Sequence, residues 1–142
     1  MQTKITFSKI DLKKLKDIGI NTIYLFGSRA TGKETALSDY DFAILMKNSQ
    51  TVKPDKSTST LYQKIYEILS DYCPRTIQND VIDIVFLQSG VSLELQAHVV
   101  KYGKIIFEEN PELRAKYEEQ VMIRMADMKP ILDEMDAAII NR

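Results

Sequence analysis

Two apolar segments of this chain carry aspartates where a protein core would exclude them. Residues 40–46 read YDFAILM, with Asp41 second in the run and Asp39 just before it. Residues 81–87 read VIDIVFL, with Asp83 inside the run. Both segments are rich in β-branched and aromatic residues, which favours strands. Because a buried charge is costly unless it is compensated, these acids constrain the fold and the function together.

The remaining pattern alternates helices with short strands. Ser8 can cap a helix that Gly19 ends, with Asp11 placed for a capping box. Asn110 followed by Pro111 marks the start of a last helix, which Pro130 should kink or end. The other expected elements are a strand over 22–26, a helix capped by Thr58 or Ser59, a strand over 81–87 buried on both faces, a helix over 92–102 and a strand over 104–107. This order predicts an α+β fold with a small mixed β-sheet and helices packed over it.

Composition indicates one globular domain spanning residues 1–142, with a core at about 20–90 and C-terminal helices at about 91–142. The 142 residues are 44% hydrophobic and 27% charged, and the formal net charge is −1. Near neutrality argues against direct binding of nucleic acid or a membrane surface, since both need a basic excess. No apolar run approaches the ~20 residues that span a bilayer. A single cysteine, Cys73, cannot form an internal disulfide, so we expect a reducing cytoplasmic location.

A glycine and a serine directly follow the strand predicted at 22–26. Gly27 lets an anion approach the backbone closely, and the Ser28 hydroxyl and nearby N–H groups can form an anion-binding nest. Arg29 and Lys33 add positive charge nearby. The span 27–33 also spells most of a P-loop, but Glu34 stands where a P-loop needs serine or threonine. We therefore favour a phosphate-binding turn over a P-loop.

Side chains alternate across a strand, so Asp39 and Asp41 should share one face. Asp83 lies 42 residues beyond Asp41 (83 − 41), which leaves room for a helix between neighbouring strands. Converging carboxylates repel one another, at about 4 kcal/mol for unit charges 4 Å apart in an effective dielectric of 20. Oxygen ligands of this kind favour Mg²⁺, with Mn²⁺ as an alternative, completed by substrate phosphates. The pattern therefore predicts a metal–nucleotide site.

The string from Gly27-Ser28 to Ser38-Asp39-Tyr40-Asp41 resembles the G-S…S-D-x-D signature of polymerase-beta-type nucleotidyltransferases. The short chain is similar to the minimal nucleotidyltransferase (MNT) group, many of whose members are antitoxins of HEPN ribonuclease toxins. The resemblance covers residues 20–90 well. It departs from the family at Thr31, where arginine is common, so that phosphate contact is either missing or supplied by Arg29.

The resemblance implies specific roles for these residues. Gly27, Ser28 and Arg29 would hold the phosphates of ATP, the substrate. Asp39, Asp41 and Asp83 would ligate two Mg²⁺ ions and serve as the catalytic residues, with Asp83 also helping to deprotonate the acceptor. The implied reaction transfers AMP to a tyrosine hydroxyl of a cognate HEPN toxin that forms a hetero-oligomer with this chain. Two alternatives stay open: a nucleotidyltransferase acting on a small molecule such as an aminoglycoside, and a protein that only masks its toxin.

Other polar and sulfur-containing residues fit structural roles. His98 should be a partly buried or surface histidine, Cys73 a structural thiol, and the acids Glu118 and Glu119 solvated. The last helix carries a stripe that we expect to pack into the core, with a partner-binding face as the alternative, since methionine surfaces adapt to partners. The stripe consists of Tyr117, Met122, Met125 and Met128.

Overall fold

A computed structural model describes residues 4–27, 30, 39–49, 56–73 and 82–140 of the chain. Within these residues, helices and strands follow one another in the predicted order. They are α1 (Lys9–Ile18), β1 (Ile20–Phe26), β2 (Tyr40–Met46), α2 (Lys56–Ser70), β3 (Ile82–Phe86), α3 (Leu93–Tyr102), β4 (Lys104–Glu108) and α4 (Pro111–Ile140).

The predicted helix boundaries of α1, α3 and α4 rest on side-chain caps. The Ser8 hydroxyl accepts from the Asp11 N–H at 3.2 Å, and the Ser92 hydroxyl accepts from the Leu95 N–H at 3.2 Å. Asn110 Oδ1 accepts from the first N–H groups of α4. Each cap satisfies backbone donors that have no partner inside the helix, so these starts were readable from the sequence.

The capping box at α1 is closed by a residue from another helix end. The Ser8 N–H donates to the Tyr72 hydroxyl at 2.9 Å, and that hydroxyl donates to Asp11 Oδ2. Asp11 therefore returns to the cap through Tyr72, which follows α2, rather than directly. The arrangement ties the start of α1 to the end of α2.

The four strands form one mixed sheet in the order β3-β2-β1-β4. Strand β1 runs antiparallel to both β2 and β4, whereas β2 and β3 run parallel. One face packs on α1 and α2 through a buried cluster that includes Leu15, Phe42 and Ile65. The other face packs with α3 and α4 around Tyr24 and Val99. The prediction of a small mixed sheet with helices over it is confirmed.

A glutamine side chain extends the β2–β3 pairing beyond the last backbone bonds. The Met46 N–H donates to Gln88 Oε1 at 2.8 Å, and Gln88 Nε2 donates to the Met46 carbonyl at 2.9 Å. Because Ile44 is the register partner of Phe86, Gln88 stands opposite Met46 two residues further on. Its amide takes the place of a strand neighbour there.

Several local predictions were wrong for identifiable reasons. Strand β3 is not buried on both faces: it lies at the sheet edge, and Asp83 is exposed. Helix α2 already includes Thr58 and Ser59, so neither is its cap. Helix α4 does not end at Pro130, which is exposed, but continues through it to Ile140; the predicted end is therefore wrong, whereas a kink at this proline stays a prediction.

The last helix also differs from the prediction in its side chains. Glu118 is not simply solvated, since it accepts from the Tyr24 hydroxyl at 2.8 Å and from Arg114 Nη1 at 3.1 Å. Tyr117 packs against the second core cluster as expected, but Met122 and Met128 are 49% and 40% exposed. Core packing therefore holds only for the first part of the stripe. Cys73 is buried, and His98 is exposed, as predicted.

Candidate functional site

Gly27 lies where β1 ends beside the start of β2. Its backbone has φ +77°, in the left-handed region that glycine tolerates at no steric cost. A Cβ added there would lie 2.5 Å from Asp41 Oδ2. Two constraints, one conformational and one steric, thus require glycine at this position and bring the Asp41 carboxylate against the backbone of the turn.

The parallel pairing of β2 and β3 places Asp83 directly opposite Asp41. Register partners on adjacent strands project their side chains to the same face of a sheet. Asp41 is also the register partner of Phe26 on β1, so it stands between two neighbouring strands. Two acids that are 42 residues apart in the sequence therefore meet beside Gly27.

The acids repel one another electrostatically. The pKa of Asp41 is raised, first by burial of its carboxyl group and then by the negative charges of Asp83 and Asp39. Asp39 and Asp83 are exposed, whereas Asp41 is half-buried. The cluster therefore presents negative charge at the surface over a partly desolvated carboxylate, and a cation placed there would relieve the repulsion.

The donor chemistry of this cluster suits a hard divalent cation. Within the ranges that the structure describes, no three histidine, cysteine or acidic side chains form a ready-made metal cage. Mg²⁺ usually keeps several waters and is held by one or two carboxylates together with substrate phosphates. The residues present thus fit an ion whose coordination a nucleotide would complete, and Gly27 is the described part of the turn that the sequence predicts to hold phosphate. Ser28 and Arg29 lie outside the described residues.

Tyr62 on α2, which was not singled out in the sequence, packs against the first core cluster and is close enough to Asp83 to respond to its charge. Its pKa is raised by burial and by the negative charge of Asp83. Its ring stacks with that of Tyr66, with centroids 6.2 Å apart and planes 21° from parallel. The signal was its place beside Leu61 at the margin of the apolar stripe of α2, which a search for charged motifs passes over.

The family model for "Polymerase beta, Nucleotidyltransferase" matches residues 8–112 of the chain. This match spans every described strand and ends at the start of α4. It includes Gly27, Asp39, Asp41 and Asp83. The chain therefore belongs to the polymerase beta nucleotidyltransferase family, as the resemblance of its signature residues indicated.

One relative and two solved structures are similar to this chain over most of its length. The chain is 32% identical over 119 residues to the protein adenylyltransferase MntA of Aphanizomenon flos-aquae (strain 2012/KM1/D3), covering 79% of this chain and 73% of that protein. A toxin–antitoxin crystal structure with AMP-PNP matches with a TM-score of 0.58 at 25% identity, over 95% of this chain and 97% of that chain. A complex of the tri-AMPylated Shewanella oneidensis HEPN toxin with its MNT antitoxin matches at 20% identity with a TM-score of 0.53, over 89% and 97%. The last match supports the fold alone.

Proposed function

We propose that this chain is an antitoxin that transfers AMP from ATP to a tyrosine hydroxyl of a cognate HEPN toxin. The observation that carries the proposal is the pairing of Asp41 with Asp83 on one face of the sheet, beside the glycine turn. The likeness to a protein adenylyltransferase supports a protein acceptor over a small molecule. The toxin and this chain would form a hetero-oligomer during the reaction.

In this proposal all three acids take part in metal binding, and Asp83 also accepts a proton. Asp39, Asp41 and Asp83 are the residues that would hold divalent ions, proposed as two Mg²⁺ with Mn²⁺ as a substitute; such ions would supply positive charge to offset that of the triphosphate and the attacking oxygen. The acceptor oxygen forms a bond to the α-phosphorus while the bond from that phosphorus to the bridging oxygen breaks. Pyrophosphate leaves, and the phenolic proton passes to Asp83.

The turn after β1 is proposed to hold the phosphates. Gly27 allows close approach of the triphosphate to backbone N–H groups. Ser28 and Arg29 follow it in the sequence and are assigned the same role from the family signature.

A direct test incubates the chain with labelled ATP, Mg²⁺ and the product of the neighbouring gene, which is expected to be the HEPN toxin. Transfer of label to the toxin, lost in EDTA and in the Asp39→Asn/Asp41→Asn variant, is expected. Asp127→Asn, an exposed acid on α4, serves as the matched control and should transfer label normally. No labelling of the toxin by the wild-type chain would defeat the proposal.

A rescue assay in cells distinguishes catalysis from the alternative that the chain only masks its toxin. If the Asp39→Asn/Asp41→Asn variant binds the toxin but does not protect cells, protection requires catalysis. If that variant protects fully, masking is the function, and the acid cluster is unnecessary for it. Modification of an aminoglycoside by a lysate containing the chain would instead support the small-molecule alternative.

We place the protein in the cytoplasm, where ATP, Mg²⁺ and a ribonuclease target coexist. The buried lone thiol of Cys73 is compatible with a reducing compartment. Among the helices that the structure describes, none has both the length and the apolar character needed to cross a membrane.

A further inference from the structure

A cavity of about 410 Å³ lies between one end of the sheet and the first half of α4. Strand β2 directs Asp41, Ala43 and Leu45 to the same face of the sheet, because side chains alternate along a strand. Leu45 lines the cavity, and four residues of strand separate it from Asp41 by about 13 Å. The face that carries the acid cluster at one end therefore carries this cavity at the other.

The floor of the cavity is apolar, and the polar groups beside it are held in place. Leu45 and Leu87 belong to the second core cluster, and Tyr117 packs against that cluster. The Tyr117 hydroxyl donates to Gln96 Oε1 at 2.8 Å, and Gln96 Nε2 donates to the Val91 carbonyl at 2.9 Å. These side chains are thus ordered before any ligand enters, which lowers the cost of binding.

One face of α4 forms a wall of the cavity. The residues of this wall have directions around the helix axis that fall within an arc of about 100°. Side chains within such an arc share one face of a helix. The wall consists of Leu113, Lys116, Tyr117, Gln120 and Arg124.

Two cations of this wall, Lys116 and Arg124, form no ion pair with any residue that the structure describes. The acids one turn away along α4, Glu112 and Asp127, do not line the cavity. Indeed, none of the described residues around the cavity is acidic. Its positive charge is therefore left for a ligand or for solvent.

The Arg124 side chain folds back along α4 toward the middle of the wall. Its Nε donates to the Gln120 carbonyl at 3.4 Å. Its charge also acts on the Tyr117 phenol, where it opposes the rise in pKa that burial causes. The guanidinium thus lies near both the aromatic ring and the polar middle of the cavity wall.

We propose that this cavity binds an organic phosphate of about the size of a mononucleotide. Its volume falls within the range of about 300–1,000 Å³ that small-ligand sites occupy. A phosphate monoester carries about −1.5 to −2 charges at pH 7, which Lys116 and Arg124 together match, and guanidinium groups bind phosphate in a bidentate manner. The leucine floor and the Tyr117 ring would receive the apolar or aromatic part of the ligand. The inference does not depend on nucleotidyl transfer, and binding here requires no metal.

Titration of the isolated chain with AMP in EDTA, followed by amide NMR, tests the site. AMP serves as the probe because it joins a phosphate monoester to an aromatic base. Saturable shifts are expected around Leu87, Gln96 and Gln120. The proposal is overturned by the absence of saturable shifts, or by shifts centred on Gly27 and Asp41, which would place AMP at the acid cluster instead.

A pair of variants separates a specific site from general attraction of an anion to α4. Arg124→Ala should weaken AMP binding at least about tenfold, which corresponds to 1.4 kcal/mol. Lys129→Ala is the matched control, because Lys129 is an exposed cation on the opposite side of the same helix, and its affinity for AMP should match that of the wild type. Equal affinities in the two variants would refute the assignment.

Inorganic phosphate and adenosine test the two parts of the ligand separately. Each should bind at least about tenfold more weakly than AMP. Phosphate that binds as tightly as AMP would show that the leucine floor and the Tyr117 ring contribute nothing. Adenosine that binds as tightly as AMP would show the same of the cations, and either result refutes an organic phosphate site.

Discussion

The α-carbon of Gly27 lies so close to the Asp41 carboxylate that a Cβ would sit 2.5 Å from Oδ2. This contact joins the turn proposed to hold phosphate to an acid proposed to hold metal. Any side chain at position 27 must therefore displace the carboxylate or the turn. The same position has positive φ, so conformational strain adds to the steric conflict.

Gly27→Ala should abolish most transfer activity. Displacement of a catalytic group by about 1 Å can cost about a hundredfold in rate, and we expect a loss of at least that size. The left-handed backbone costs an L-residue about 1–2 kcal/mol of stability. Gly90→Ala is the control, since Gly90 also has positive φ but a Cβ there would meet nothing within 4 Å. Both variants should lose similar stability, and only Gly27→Ala should lose activity.

Asp41→Asn should stabilise the metal-free protein while eliminating transfer. The substitution removes a half-buried charge that Asp83 and Asp39 oppose, so both the free energy of unfolding at neutral pH and the Tm should rise. Thermal unfolding in EDTA measures the change, with Asp127→Asn as the exposed control. A lower Tm for Asp41→Asn would contradict the repulsion argument.

Because the Tyr24 phenol is buried, the protein should become less stable at alkaline pH. Burial, followed by the hydrogen bond to Glu118, raises its pKa above the ordinary value. The folded state therefore keeps a proton that the unfolded chain releases above about pH 10. Stability present below that pH is lost as pH rises further. Tyr24→Phe should flatten this decline while costing about 1 kcal/mol at neutral pH for the lost hydrogen bond.

Urea unfolding of the wild type and of Tyr24→Phe between pH 8 and about 11 separates the loss of the hydrogen bond from the change in pH dependence. Tyr117 is also buried with a raised pKa, so some alkaline dependence should persist in Tyr24→Phe. An unchanged slope of stability against pH in Tyr24→Phe would show that the Tyr24 phenol does not contribute.

Tyr72→Phe should loosen the start of α1. The hydroxyl accepts from the Ser8 N–H and donates to Asp11. Without this hydroxyl, the cap keeps only the hydrogen bond from the Asp11 N–H to the Ser8 hydroxyl. We expect a loss of about 1 kcal/mol, typical of a helix cap. Tyr102→Phe is the control, because the Tyr102 ring is half exposed. Amide exchange should accelerate in the first turn of α1 only in Tyr72→Phe.

The sequence carried enough information for the strands, for the helix caps at Ser8 and Asn110 and for the pairing of Asp41 with Asp83, because these depend on local chemistry. Caps need one polar side chain at a fixed offset, and Asp83 stood out against apolar neighbours. The edge position of β3 could not be inferred, since strand order depends on contacts between distant segments. The free end of α4 was misassigned for the same reason: periodicity shows which residues share a face but not where the sheet stops. The nucleotide contacts of Ser28 and Arg29 stay predictions.

The Gln88 side chain lies at the end of β3 that is remote from the acids. Its hydrogen bonds help to keep Asp83 in register with Asp41. A shift of β3 by one residue would turn Asp83 to the opposite face, and it would also break both bonds between Gln88 and the Met46 backbone. The glutamine amide therefore helps to fix the register of β3, an edge strand that pairs with β2 on one side only. Loss of the amide at position 88 would therefore remove one of the restraints that hold Asp83 in register with Asp41, at a position far from both acids.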